Sequence, residues 1–220
     1  ALGYQQCRFS YTPDSRVIEI ADTLRYKRIP CDAIWMDIDY MDGYRIFTFN
    51  PQGFPDPKAV NRDLHLRGFH SVWMIDPGAK AETGYSVYDS GTANDVWVKT
   101  VDGKEYNGDA WPGKVAWPDF TDPKVCQWWG GLYKDFMAQG VDGVWNDVNE
   151  PQVSNTPTGT MPEDNLHRGG NGIPAGTHLQ YHNVYGFLMV KSSREGMLAA
   201  QPKKRPFILT RSNFLGGQRY

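Results

Sequence analysis

The segment Gly143-Val144-Trp145 is apolar and runs directly into Asn146-Asp147-Val148-Asn149-Glu150, with Pro151 ending regular structure just beyond. A strand here delivers Asp147 to its carboxyl end, with Trp145 two residues earlier on the same face, because strand side chains alternate. A carboxylate fixed beside an indole can serve as a nucleophile or as a stabiliser of developing positive charge. Strand position alone equally allows a cap for the next segment, or a partner for Arg211. His178 and His182 stand i, i+4, so they share a helix face as zinc ligands can. No Glu lies between them as His-Glu-x-x-His requires and no nearby Cys completes a set, so structural hydrogen bonding is the expectation. Asp37, Asp39 and Asp42 resemble a calcium loop only in composition, because the sixth-position glycine and distal Glu are missing. No metal and no cofactor is expected. Asp39 and Glu150 are expected to brace strand ends, and Lys203-Lys204-Arg205 to be a solvated connection.

The elements that must position these residues alternate. Residues 14–28 set Val17, Ile20, Ala21 and Leu24 at helical spacing, and Ala33 to Ile38 follow as an apolar run. Residues 57–67 end at Gly68 before the run Phe69 to Ile75, and residues 122–139 end at Gly140 before Val141 to Trp145. The long helical pattern of 178–200 precedes Pro206 to Thr210. Continuous apolar runs of this length suit parallel strands buried on both faces, and alternation with helices suggests βαβ units. Asp37, Asp76, Asp147 and Arg211 each end such a run, as the active face of a barrel requires. A doubly wound sheet would want a glycine-rich turn after its first strand. Ser10-Tyr11-Thr12-Pro13, which follows the candidate strand Leu2 to Phe9, cannot supply one. The fold class expected is α/β, a (β/α)8 TIM barrel, with residues 1–220 covering roughly the first five βα units. Residues 77–121, with short strand-like pieces such as Val96-Trp97-Val98, are expected to be an insert after the third strand, lying over the barrel mouth. Residues 151–177 form a second long loop.

A net charge of −2 gives no field to gather nucleic acid or an anionic membrane. No run approaches the roughly 18 apolar residues of a membrane span. Three scattered cysteines, Cys7, Cys31 and Cys126, read as buried structural thiols and point to a reducing compartment such as cytoplasm or plastid. Aromatic residues make up 14% of the chain, with 8 Trp. Most such rings belong in a core, but some can stack on sugar faces in a polar cleft.

Taken together, Gly-Val-Trp-x-Asp-Val-Asn-Glu-Pro closely resembles the nucleophile signature of glycoside hydrolase family 31, the α-glucosidase family. The likeness runs along the chain: Leu2 to Arg8 resembles the first barrel strand, and Trp35 to Asp42 the second, followed by Phe47-Thr48-Phe49 and Phe54-Pro55. Trp111-Pro112-Gly113 and Pro118-Asp119-Phe120-Thr121 resemble the insert region, and Arg205 to Arg211 with Gln218-Arg219-Tyr220 the fifth strand and beyond. Within the family, glucosidase II-like and heteroglycan-glucosidase-like members are most similar.

The resemblance implies a retaining, exo-acting α-glucosidase that removes terminal α-linked glucose from oligosaccharides or glucans. It assigns Asp147 as nucleophile, Asp37 as acceptor for sugar hydroxyls and Arg211 as a further sugar contact. Trp111 and Trp145 become aromatic walls, with Ile38 and Met74 as apolar lining. Phe9 stands where some members have Trp, and Val148 where most have Met; both are expected to alter pocket shape. A retaining mechanism needs a second carboxyl group roughly 5–5.5 Å from the first. The resemblance implies that this acid/base, the remaining strands, a β-sandwich and C-terminal domains lie outside residues 1–220. Other α-glycosidases, a transglycosylase, or a sugar-binding protein that has lost catalysis share the same scaffold.

Overall fold

The computed structural model describes residues 3–220, so the predicted start of the first strand at Leu2 lies outside the described residues. Strand β1 (Gln5–Gln6) is followed by α1 (Asp14–Tyr26), β2 (Ala33–Met36), α2 (Pro57–Leu66) and β3 (His70–Ile75). An insert then holds β4 (Ala79–Lys80), α3 (Ser86–Ala93), β5 (Asn107–Ala110) and β6 (Gly113–Ala116). The alternation resumes with α4 (Pro123–Met137) and β7 (Gly143–Asn146), then β8 (Leu166–His167), β9 (Gly176–Thr177), α5 (His178–Ala200) and β10 (Phe207–Thr210).

Sequence punctuation sets the helix limits. The Asp56 side chain accepts from the Ala59 N–H and Pro57 opens α2, while Asp122 and Pro123 do the same for α4. At the other ends, Gly68 and Gly140 take φ of 73° and 87°, a left-handed turn that glycine adopts without steric cost. Two sequence expectations change. Ile38 leaves the strand and starts a 3-10 turn, because the Asp37 carboxylate accepts its N–H at 2.7 Å. Val96-Trp97-Val98, which reads as a strand, forms no ladder: its residues are at most 1% exposed and its backbone pairs singly, as Val98 N–H does with Trp117.

The sheet that matters for function has the order β1-β2-β3-β7-β10, all parallel. Each neighbouring pair is linked by a helix, giving the βα units of a barrel. Alternate residues face opposite ways. Ile34, Met36, Trp73, Ile75 and Val144 join the main core beneath the helices. Ala33, Trp35 and Val72, with Trp145 and Phe207, form a separate cluster on the inward face. Most of the aromatic content goes to the main core, where Tyr40, Phe47, Phe49, Trp73, Trp129, Tyr133 and Phe136 pack ring against ring. The insert is a three-stranded antiparallel sheet, β4-β6-β5, with α3.

Candidate active site

Four strands release a charged residue at one rim: Asp37 after β2, Asp76 after β3, Asp147 after β7 and Arg211 after β10. Each extends the inward-facing alternation of its strand, two residues beyond Trp35, Met74, Trp145 and Leu209. Met74 pairs in register with Trp145, and Trp145 with Leu209. Asp76, Asp147 and Arg211 therefore follow one another across the sheet.

The turn after β7 is tightly held. The Asp147 N–H donates to the Ile75 carbonyl at 3.3 Å. Val148 is buried at a φ of 42°, a conformation that costs a β-branched residue about 1–3 kcal/mol. Asn149, fully buried, anchors the turn to β10: its Nδ2 donates to Thr210 Oγ1 at 2.8 Å, and its Oδ1 accepts from the Ser212 N–H at 3.2 Å.

Arg211 does not take Asp147 as its hydrogen-bond partner. Its Nε and Nη2 donate to the two oxygens of Glu150, each at 2.8 Å, and Nη2 also reaches Gln152 Oε1 at 3.0 Å. The Nε atom lies 3.5 Å from Asp147 Oδ1, an oxygen that is buried and accepts no hydrogen bond. Asp147 thus feels the guanidinium charge while its lone pairs on that side stay free.

Electrostatics sort the acids. Burial raises the Asp147 pKa, opposed by the Val148 N–H and Arg211, and reinforced by Glu150. Burial also raises Asp37, against its bond from Ile38, with Asp147 and Asp39 adding to the shift. Asp76 is 6% exposed, and burial followed by the charges of Asp147 and Asp37 pushes it well above the usual carboxylate range. Its Oδ1 is buried without a partner, consistent with a neutral carboxyl. The Arg211 hydrogen bonds hold Glu150 below its usual value.

The remaining predicted residues fall into three places. Met74 pairs in register with Trp145 but is 2% exposed and joins the main core, and Trp145 is half-buried with its ring edge-on to Trp35 at 6.1 Å. Ile38 is buried in the main core at 3% exposure. Phe9 and Trp111 are 60% and 62% exposed and form a pair of their own, rings 6.5 Å apart, Trp111 sitting at the β5–β6 turn. Five of the eight tryptophans are buried: Trp35, Trp73, Trp97, Trp117 and Trp129. Trp111 is the one exposed Trp.

Sequence reasoning missed three features. Glu150 reads as a brace, but its partner 61 residues away is not legible locally. Asp76 was visible as a strand-end charge, though its burial was not. Cys7, expected to be buried, is exposed, and its thiol feels Asp37 and Asp147. It follows the short β1, and partial burial of the thiol, then the charges of Asp37 and Asp147, raises its pKa. Among the described residues, no group of three or more His, Cys, Asp or Glu is arranged to hold a metal ion, and no helix is long and apolar enough to cross a membrane.

The chain is similar in sequence and fold to known proteins. The family model described as "Glycosyl hydrolases family 31 TIM-barrel domain" matches residues 1–220. Alpha-glucosidase 2 of Bacillus thermoamyloliquefaciens is 46% identical over 220 residues, which is all of this chain and 28% of that protein. A crystal structure of a family 31 alpha-glucosidase from Bacteroides thetaiotaomicron is 74% identical with a TM-score of 0.84, covering 100% of this chain and 34% of that one. A family 31 dextranase of Flavobacterium johnsoniae, solved with glucose, is 33% identical with a TM-score of 0.87, covering 100% of this chain and 26% of its own. The chain thus spans about a third or less of the length of the relatives it matches.

Proposed function

The chain belongs to glycosyl hydrolase family 31, and from this membership we infer that the protein carrying it is a retaining, exo-acting α-glucosidase. Its substrates are oligosaccharides or glucans ending in α-linked glucose. The observation that carries this reading is the placement of Asp147 at one rim with Asp37 and Arg211, its Oδ1 unpaired while Glu150 occupies the arginine.

In this reading Asp147 attacks the anomeric carbon and forms a glycosyl ester, while an acid in the remainder of the protein protonates the departing oxygen. That second group then takes a proton from water, which cleaves the ester and restores the original configuration. Burial makes Asp147 a poorly hydrated carboxylate, and Arg211 keeps it ionised enough to attack. Asp37 accepts from sugar hydroxyls and fixes the ring for in-line attack. Trp145 lines the sugar pocket, with Met74, Ile38 and Val148 packed as its apolar backing, and Phe9 and Trp111 offer open aromatic faces at its approach.

The test uses the full-length protein and a cyclitol epoxide. Mass spectrometry should find the adduct on Asp147, and NMR of a 4-nitrophenyl α-glucopyranoside digest should show α-glucose appearing first. Labelling of another residue, or β-glucose as first product, would overturn the assignment. The likeness to the dextranase favours one competing reading, a hydrolase of dextran. Turnover of dextran with none of maltose would decide for it.

A further inference from the structure

A file of polar side chains runs through the core toward the rim. Asp119 Oδ1 lies 2.8 Å from His167 Nδ1, His167 Nε2 is 3.2 Å from His178 Nδ1, and His178 Nε2 is 3.2 Å from His182 Nδ1. Asp119, His167 and His178 are buried, whereas His182 is half-buried. The file joins the segment before α4, the strand β8 and one face of α5.

Hydrogen-bond logic orients its protons. Asp119 also accepts from Thr121 Oγ1 at 2.6 Å and from the Arg168 N–H at 2.7 Å, the pattern of an ionised carboxylate. Burial would raise its pKa, but the hydrogen bond and charge of His167 and the Arg168 N–H outweigh that and hold it low. His167 must therefore donate from Nδ1. Burial, with the charges of His167 and His182, pushes His178 down to about 3, so this ring is neutral. Thr160 spends its hydroxyl proton on the Pro151 carbonyl at 2.7 Å, so it meets the imidazoles only as an acceptor. The single proton of the neutral His178 ring lies either on Nδ1, toward His167, or on Nε2, toward Thr160 and His182.

The outer end of the file reaches the candidate site. His182 is close enough for its charge to act on Glu150. Thr160 ties the rings to Pro151, the residue after Glu150. One turn along α5, Gly186 approaches so closely that a Cβ there would lie 2.7 Å from the Asn149 carbonyl oxygen. We propose that Asp119, His167, His178 and His182 form a positioning chain that sets the turn from Val148 to Pro151 and, through Glu150, holds the Arg211 guanidinium against Asp147. The chain deepens the glycosidase reading of the site and rests on it.

The experiment compares His182→Ala with His182→Asn in the full-length protein, using 4-nitrophenyl α-glucopyranoside as substrate. His182→Ala should lower kcat about tenfold or more with KM within about twofold, because misplacement by a fraction of an ångström acts on the chemical step. His182→Asn should recover most of kcat, since its amide can donate or accept in place of Nδ1. In the parent, 15N spectra of the imidazoles should show a neutral His178 ring. Unchanged kcat in folded His182→Ala, equal losses in both variants, or a doubly protonated His178 would each overturn the proposal. Should the parent cleave no α-glucoside, the glycosidase reading fails by itself, and the imidazole spectrum still decides whether the file exists in this form.

Discussion

Glu150 competes with Asp147 for one arginine, and this competition sets the charge at the centre of the site. The two-pronged bond to Glu150 fixes the guanidinium plane, while Asp147 receives only its field at 3.5 Å. Removing the Glu150 charge has two opposing effects. In the proposed glycosidase a loosened Arg211 would misplace its sugar contact, so Glu150→Gln should lower kcat/KM by roughly ten- to a hundredfold. The Glu150 charge also raises the Asp147 pKa, so its removal makes Asp147 easier to ionise. The proposed reaction requires the ionised form, and the acidic limb of the kcat/KM profile should therefore move to lower pH in Glu150→Gln. A pH–rate profile checks both the depth of the loss and the direction of the shift.

At the scale of elements, the placement of Asp147 depends on how closely α5 can lie against α4 and the strand ends. The two helices cross at Gly130 and Gly196, where a Cβ on Gly196 would stand 2.6 Å from the Gly130 Cα. No side chain can give way there, because the obstacle is backbone. Gly196→Ala should cost about 1–3 kcal/mol of stability, as overpacking does. The adjacent Gly131 meets nothing within 4 Å and is exposed in the same helix. There alanine should stabilise by about 0.5–1 kcal/mol through helix propensity alone. Urea denaturation of the two full-length variants separates the cases by sign.

At the scale of the whole molecule, the barrel gathers four acids and one arginine around a single mouth, and folding must accommodate that charge. Asp76 shows how. Its folded pKa lies well above the ordinary value of 3.8, so the folded chain keeps a proton that the unfolded chain releases. The resulting stabilisation is full below the unfolded value and is lost as pH rises toward the folded one. Asp76→Asn, neutral at every pH, should therefore be more stable than the parent at pH 8, by roughly 2–4 °C in melting temperature, with no gain near pH 4. Thermal melts of the full-length protein across that range test the sign. The inward face carries the complementary demand. Ala33, Val72, Gly143 and Phe207 line an apolar cavity of about 490 Å3 at the amino ends of the strands, the end opposite the charged rim.

Local chemistry accounts for what the sequence by itself determined. Apolar runs, helical spacing and the Pro and Gly stops specify strands and helices in order, and a charge at the end of each run identifies the working rim. Asp147, Asp37 and Arg211 were legible for that reason, as was the barrel. Tertiary structure alone decided which charges meet. The pairing of Arg211 with Glu150, the sealing of Asp76, the freedom of Trp111 among buried tryptophans and the file from Asp119 to His182 all join residues distant in the chain. Periodicity records which way a side chain faces along its own element; it carries no record of which residue from another element will stand opposite, because that is set by how closely the helices and strands can pack.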